Sequence, residues 1–329
     1  MKSSYGDLER KIKFSREVEE KNIRRIILTF DLEDFINRRS MKAYLRILRL
    51  LRKYDFKALF FITGHTAERL ALFPQVLELF RFHEIGYHSS SHSVRPSIFE
   101  YTDVENYEEA YQSSIERETA HINPLTGEVE GVGGIEFLRD LFPNKRIVSF
   151  RAPGLCWSPP HLEALKKLGI EFDFSADISS RPAYYKGITF YPYPIVITGF
   201  VYYRRVSLML NGQTTVLASH PSFYVNSNHW DFAYHKGNPD RLVEVKPRSR
   251  IERESLFLDF EFLLKQISLL QRVKFLEVAP YLSRSRENLT VTRRGVERCY
   301  EKSMAWPRDF FGFEPRFLRS HFFGYFDVD

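Results

Sequence analysis

The chain of 329 residues is long enough for one large domain or for two domains of ordinary size. Its 43% hydrophobic and 27% charged residues argue against a disordered chain, and its net charge of +6 is too small and too evenly spread to indicate a nucleic-acid-binding protein. The two cysteines, Cys156 and Cys299, exclude a disulfide framework. We therefore expect a reducing, cytoplasmic environment with no secretory signal, and the lack of any run of about 18 apolar residues predicts no transmembrane helix.

Predicted strands and helices alternate along most of the chain. Segment 23–30 predicts a strand, 40–54 carries leucine and isoleucine at helical spacing, and 58–63 predicts a buried strand. A helix at 67–82 and a strand at 84–87 follow. The alternation recurs with strands predicted at 146–151, 172–175, 216–219 and 273–276 and helices at 160–168 and 254–270. This order is typical of a parallel sheet with crossover helices, and it predicts an α/β fold with a barrel-like domain of roughly 250 residues.

Three parts of the chain differ in their pattern. Residues 1–22 predict a polar arm or helix, residues 23–282 the barrel, and residues 283–329 an extension rich in arginine and phenylalanine. Within the barrel, 101–143 interrupts the alternation with a predicted helix at 104–119 and a glycine-rich turn region, which we interpret as a surface excursion. We expect the aromatic residues of the extension to cover an end of the barrel or to contact another subunit of a homo-oligomer; stacking on sugars is the third alternative.

Charged and polar residues follow four of the predicted strands. They are Asp31, Glu33 and Asp34 after the strand at 23–30, His88 and His92 after the strand at 84–87, Arg151 at the end of 146–151, and His220 after 216–219. The active site of a βα barrel lies at this end of its strands, so we expect these side chains to meet. Histidines four residues apart lie on one face of a helical turn, and both can then reach one ion.

These residue types supply the groups that metal-assisted hydrolysis needs. One carboxylate and two histidines form a three-ligand site for a divalent cation and leave positions open for water and substrate. A further carboxylate can take a proton from that water, and a further histidine can protonate a leaving group. An arginine can pair with the basic carboxylate and hold its orientation. The combination indicates hydrolysis of an amide or an ester.

Taken in order, the motifs TFDLED, HSSSH, FRAPG and LASHP resemble those of the polysaccharide deacetylases, carbohydrate esterase family 4. The resemblance extends from about residue 23 to 282 and is greatest to the intracellular-type bacterial branch with a DxED first motif. It implies a distorted (β/α) barrel, a divalent metal that is usually zinc, and an N-acetylated sugar or glycan as substrate.

The resemblance also implies a role for each matching residue. His88 and His92 correspond to the two histidine ligands of the metal. Asp31 corresponds to the catalytic base, Arg151 to the arginine that holds the base, and His220 to the general acid.

The first motif departs from the family pattern. The family has two adjacent aspartates, base and then ligand, whereas Leu32 and Glu33 here separate Asp31 from Asp34. We predict Asp34 as the third metal ligand, because it is the second aspartate, with Glu33 as the alternative.

The family's fourth motif, an aspartate near a tryptophan, has no clear counterpart. Asp173 or Asp177 is the candidate for the aspartate. Trp157 either lines the substrate groove or belongs to the core. The other histidines match no motif, and we interpret them as surface or core residues: His65, His83, His121, His161, His229, His235 and His321.

Two other functions are open to a chain with this sequence. One is a metal-independent amidase acting on a small cyclic amide, against which the presence of both His88 and His92 argues. The other is a non-catalytic carbohydrate-binding protein of the same fold, against which the intact Asp31, Arg151 and His220 argue.

Overall fold

The computed structural model describes residues 24–197, 214–269, 273–275 and 287–328. The predicted arm at 1–22 and the predicted barrel boundary at 282/283 lie outside these residues. In the part of the chain that is described, no helix has both the length and the apolar character that crossing a membrane requires.

Among the residues that the structure describes, ten strands form one curled, mostly parallel sheet, and two more form a small antiparallel hairpin. In chain order the strands are β1 (Arg24–Leu32), β2 (Leu59–Ile62), β3 (Glu84–Tyr87), β4 (His121–Ile122), β5 (Val129–Glu130), β6 (Ser149–Phe150), β7 (Phe172–Asp173), β8 (Ala183–Tyr185), β9 (Ile188–Phe190), β10 (Ile195–Val196), β11 (Thr214–Ser219) and β12 (Val273–Phe275). The sheet order is β10-β11-β1-β2-β3-β6-β7-β9-β8, with β12 pairing with the start of β1. The predicted distorted (β/α) barrel is confirmed, in the form of an open half barrel.

Helices connect the strands and pack on the sheet. They are α1 (Arg38–Lys53), α2 (Gly64–Ala71), α3 (Pro74–Phe80), α4 (Ile98–Tyr101), α5 (Tyr107–Thr119), α6 (Gly134–Leu141), α7 (Pro159–Lys167), α8 (Arg250–Ser268), α9 (Arg293–Trp306) and α10 (Leu318–Tyr325). The helix predicted at 67–82 is two helices, because Pro74 has no N–H to donate and begins α3 instead of continuing α2.

Strand β1 is an interior strand of the sheet, between β11 and β2. Its side chains alternate between two cores, as the two-residue period of a strand requires. Leu28 and Phe30 belong to the large core beneath the helices, whereas Ile27 packs with Phe61 and Val216 in a smaller core on the other face. The next residues on that smaller-core face lie above it, at the carboxyl end of the strand.

The region 101–143 is more than a surface excursion. Its helices α5 and α6 bury Ala110, Ile135 and Leu138, each fully inaccessible to solvent. The hairpin of β4 and β5 forms the turn region that the glycines predicted. Because α6 packs on α2, this region belongs to the wall of the barrel beside the site.

The described part of the C-terminal extension packs on the barrel. Val296, Cys299 and Met304 of α9 are buried in the large core, and Phe322 of α10 lies 4.7 Å from the ring of Trp157. Trp157 is therefore a core residue, 1% exposed, and does not line a groove. This packing agrees with the expectation that the aromatic residues of the extension cover part of the barrel.

Candidate active site

Two carboxylates leave the end of β1 on the same face. Asp31 and Glu33 are two residues apart, so the pleat directs both towards the cavity, whereas Leu32 between them points into the large core. Each carboxylate is 4% exposed, which makes them costly unless they are paired with positive groups.

The histidines come from the loop after β3, residues 88–92, which we call the histidine loop. It is not helical: Ser89 and His92 have left-handed backbones, with φ of 65° and 50°. The predicted helical turn is thus wrong, although its consequence holds, since both imidazoles reach the same point. Backbone bonds to α2 support the loop, with the Gly64 N–H donating to Ser89 O at 3.1 Å and the His65 N–H to Ser90 O at 3.3 Å.

Glu33, His88 and His92 form a compact, buried three-residue cluster. Glu33 Oε2 lies 3.0 Å from His92 Nε2 and 3.3 Å from His88 Nε2. One ligand atom from each residue lies within 4.8 Å of the other two. The structure therefore brings together the two predicted histidine ligands and Glu33, the predicted alternative to Asp34 as the acidic ligand.

The far nitrogen of each imidazole is held by a neighbouring group. His88 Nδ1 donates to Arg151 O at 2.7 Å, and His92 Nδ1 lies 2.5 Å from Ser93 Oγ and 3.4 Å from Asp231. Such contacts fix the ring orientation of metal-binding histidines. Both Nε2 atoms are consequently directed at Glu33, as a shared cation would require.

Asp34 does not lie with the histidines, so the predicted ligand set needs correction. Its Oδ1 accepts the backbone N–H of Asn37 at 2.9 Å, and its Oδ2 accepts Ser40 Oγ at 2.5 Å and Asn226 Nδ2 at 2.9 Å. These bonds hold the start of α1 and occupy both carboxylate oxygens. The spacing along β1, which places Glu33 and not Asp34 beside the histidines, is the physical reason.

The pKa values of the adjacent acids Glu33 and Asp34 are shifted in opposite directions. Burial would raise the pKa of Glu33, but His92, His220 and His88 hold it well below its ordinary value. For Asp34, burial outweighs its hydrogen bonds and raises the pKa. Glu33 is therefore the carboxylate that faces positive charge.

His92 shows that the cluster favours a cation. Burial lowers its pKa, but the charge of Glu33 and the contact with Asp231 outweigh burial and raise the pKa to about 10. A positive charge is thus stabilised between Glu33 and Asp231 when only protons are available. Two imidazoles and a carboxylate suit zinc, so the residues present fit a divalent metal ion in place of that proton.

Asp31 is held between Arg151 and His220. Arg151 Nη1 donates to Asp31 Oδ1 at 2.7 Å, and His220 Nε2 lies 3.3 Å from Asp31 Oδ2. Arg151 is fully buried, donates a second bond to Thr29 Oγ1 at 2.9 Å, and lies 4.4 Å above the ring of Phe61. The predicted arginine–carboxylate contact is present, and it leaves one oxygen of Asp31 on the side of His220.

Of the two candidates for the fourth motif, only Asp173 lies near the arginine. Burial raises the pKa of Asp173 to about 6, and Arg151 acts against this rise, although no hydrogen bond between them is seen in the described residues. Asp177 instead pairs with Arg298 at 3.3 Å and Lys302 at 2.9 Å on α9. Asp173 thus remains the candidate behind Arg151, while Asp177 ties the extension to the barrel.

A cavity of about 200 Å³ joins these groups. It is lined by Asp31, Glu33, His88, His92, Arg151 and His220, together with three further residues, His229, Asp231 and Trp306. His229, interpreted from the sequence as a surface or core residue, thus lies at the site. The clustering of two histidines, an aspartate and a tryptophan in the segment HWDFAYH at 229–235 is a signal that could have indicated His229 and Asp231. Nothing in the local sequence distinguishes Trp306 from the other aromatics of the extension.

The curled, mostly parallel sheet with its helices is an α/β half barrel of the deacetylase type, and Glu33, His88 and His92, which could hold a metal ion, lie at the carboxyl end of its strands. Residues 19–172 match the family model described as polysaccharide deacetylase, a segment that contains Glu33, His88, His92 and Arg151. None of the curated proteins matches this sequence.

Two solved structures show the same fold. A protein from Mycobacterium smegmatis described as a polysaccharide deacetylase superposes with a TM-score of 0.54 at 15% identity, covering 83% of this chain and 95% of that chain. A 4-alpha-glucanotransferase from Thermococcus litoralis gives a TM-score of 0.50 at 13% identity, covering 92% of this chain and 50% of that chain.

Proposed function

We propose that the protein is a metal-dependent hydrolase that removes N-acetyl groups from an amino sugar or a glycan. The observation that carries the proposal is the meeting, in one cavity, of the cluster Glu33–His88–His92 with Asp31 and His220. The polysaccharide deacetylase match over residues 19–172 supports the carbohydrate substrate.

Glu33, His88 and His92 would hold the cation. A zinc ion bound there would polarise the acetyl carbonyl and lower the pKa of the attacking water. Asp231 and the backbone at Arg151 O keep the two imidazoles aimed at that position.

Asp31 acts as the general base. Its Oδ1 accepts the Arg151 N–H, which locks the carboxylate plane, and the second oxygen is left to accept a proton from the attacking water. Because Arg151 is buried and bonded to Thr29 as well, it keeps its position as the proton moves.

His220 acts as the general acid. It lines the cavity with its Nε2 3.3 Å from Asp31 Oδ2, and its side chain is 21% exposed, so an incoming substrate can reach it. An amine is a poor leaving group, and protonation of the nitrogen by His220 lets the carbon–nitrogen bond break. Acetate and a free amino sugar result.

The cavity also bears on the size of the substrate. Its volume of about 200 Å³ is below the usual range for drug-sized ligands, about 300–1,000 Å³, which favours one acetylated sugar unit inside the cavity. A cytoplasmic location, which we also propose, would favour a precursor or a short glycan over finished cell wall.

The test is acetate release by the zinc-loaded protein from N-acetylglucosamine and from chitin oligosaccharides of increasing length. Acetate and free amine should appear in equal amounts. Asp31→Asn should retain the metal and lower kcat/KM by at least about 100-fold, since a general base typically contributes that much. An unchanged kcat/KM in Asp31→Asn, or full activity after chelation of the metal, would reject the proposal.

A further inference from the structure

A second group of metal-binding side chains lies outside the active-site cavity. It consists of His65 and Glu68 on α2 and His121 on β4, and one ligand atom from each lies within 4.8 Å of the other two. Glu68 Oε1 is 2.8 Å from His121 Nδ1, and Glu68 Oε2 is 3.6 Å from His65 Nδ1. None of the three lines the cavity.

We infer that His65, Glu68 and His121 bind a second divalent cation of the zinc type. Two imidazoles and one carboxylate are a zinc donor set, and a water molecule can complete four-coordination. His65 is 5% exposed, while the other two side chains are half-buried, so an ion would be shielded on one side and open to water on the other.

The carboxylate is suited to this role. Burial raises the pKa of Glu68, but its hydrogen bonds with His65 and His121 and their charges outweigh burial and lower the pKa below its ordinary value. Glu68 is thus ionised, and it lies between the two imidazoles that it would join in binding the ion.

Aromatic rings separate this second cluster from the active site. Phe35 packs on His65 with ring centroids 4.8 Å apart and on Trp230 at 5.3 Å. Trp230 in turn lies 5.2 Å from His92. The rings of Phe35 and Trp230 therefore lie between the two clusters, which have no residue in common.

The position of the second cluster gives the ion a structural task. The histidine loop lies between α2, which bonds to it through the amides of Gly64 and His65, and the segment before β4, where Ala120 O accepts Ser90 Oγ at 3.0 Å. His121 follows Ala120 directly. An ion bound by residues of both α2 and β4 would link the two elements that contact the histidine loop, and so would help to hold that loop in place.

The experiment counts zinc ions per chain by titrating metal-free protein with zinc chloride in competition with a chromophoric chelator. The wild type should take up two ions. His121→Gln and Glu68→Gln should each take up one, with at least a tenfold loss of affinity at the altered site. Glu78→Gln, an exposed glutamate that pairs only with Arg81 among the described residues, is the matched control and should still take up two.

His88→Gln separates this inference from the proposed function. It should lose the active-site ion and keep the second, and zinc should then raise the Tm of His88→Gln but not of the double variant with His121→Gln. Failure of the active-site assignment alone would leave the counts of His121→Gln and Glu68→Gln one below the wild type. A wild type that binds a single ion unaffected by His121→Gln, or two ions that both persist in His121→Gln and Glu68→Gln, would overturn the second site.

Discussion

Two neighbouring acidic residues at the end of β1 have opposite surroundings. Glu33 is faced by the nitrogens of His88 and His92, whereas Asp34 is surrounded by amide and hydroxyl donors, among them Ser40 and Asn226. The first environment suits a shared cation, and the second suits a carboxylate that holds a helix start. Two residues adjacent in the chain are thus a proposed metal ligand, Glu33, and a group that holds the start of a helix, Asp34.

This difference predicts opposite outcomes for two conservative variants. Glu33→Gln should bind one zinc ion per chain fewer than the wild type. Zinc affinity at the active site should fall by about 100-fold, because an amide is a poor zinc ligand. Asp34→Asn should keep the full complement of zinc but lose about 2 kcal/mol of stability, because charge-assisted hydrogen bonds at α1 are weakened. Metal analysis of both proteins and urea unfolding measure the two effects.

The two variants serve as controls for each other. Should Asp34→Asn lose the ion and Glu33→Gln retain it, the ligand assignment drawn from the register of β1 is wrong.

Sequence reasoning predicted the residues that directly follow strands. Asp31, Arg151 and His220 could be predicted in this way, because parallel strands bring their carboxyl ends to one edge of the sheet. The sequence could not decide between Glu33 and Asp34 as the acidic ligand. That choice depends on how far the alternation of side chains along β1 continues, and the spacing of two adjacent aspartates in the family's pattern does not apply to this motif.

At the scale of elements, the histidine loop is held from two sides. Glu118 at the end of α5 is buried and accepts the backbone N–H of Ser90 at 2.8 Å, His161 Nε2 at 2.7 Å and the hydroxyl of Tyr87. Burial raises the pKa of Glu118, but these hydrogen bonds lower it below its ordinary value, so the carboxylate is ionised. One carboxylate therefore joins the loop, β3, α5 and α7.

Glu118→Gln should loosen the histidine loop without touching a ligand. Loss of a buried ionised acceptor is expected to cost about 3 kcal/mol, and the misplaced loop should weaken zinc binding at the active site by about tenfold. Urea unfolding and zinc competition titrations measure these changes. Glu116→Gln, an exposed glutamate on the same helix, is the control, and equal behaviour of the two variants would contradict the role given to Glu118.

The backbone conformation of the histidine loop could not be predicted from the sequence. The spacing of His88 and His92 suited a helical turn, yet the chain passes through left-handed conformations at Ser89 and His92. Bonds to α2 and Glu118, far away in sequence, hold that shape, and such long-range contacts leave no local signal.

At the scale of the whole molecule, a buried histidine away from the site sets part of the acid sensitivity. His83, before β3, is 3% exposed and packs on the ring of Phe60. Burial, helped by the positive charges of Lys145 and Lys57, lowers its pKa from 6.5 to about 4. The folded protein thus keeps His83 neutral at pH values where the unfolded chain takes up a proton.

The sign of the effect follows from this difference. The contribution of His83 is complete above pH 6.5, declines as the pH falls towards 4, and is lost below that value. The decline amounts to about 3 kcal/mol. The free energy of unfolding, measured in urea between pH 7 and pH 4, should fall more steeply in the wild type than in His83→Gln by this amount. Parallel pH profiles for the two proteins would show that His83 does not contribute.

The overall architecture was predictable because alternating strands and helices have few ways to pack. The wall of the cavity was not, since Trp306 comes from α9, beyond the last strand of the sheet, and Asp231 from a long irregular segment. Neither position is set by the sheet, so no strand periodicity points to it.

The shared core of the barrel and α9–α10 has a consequence for how the protein is made. Translation proceeds from the amino terminus, so Asp31, the histidine loop and His220 all leave the ribosome before the helices that cover Trp157. Until Phe322 is synthesised, the surface of Trp157 that Phe322 packs on is uncovered in the nascent barrel. This part of the core is therefore completed last, by helices that carry none of the proposed ligands, base or acid.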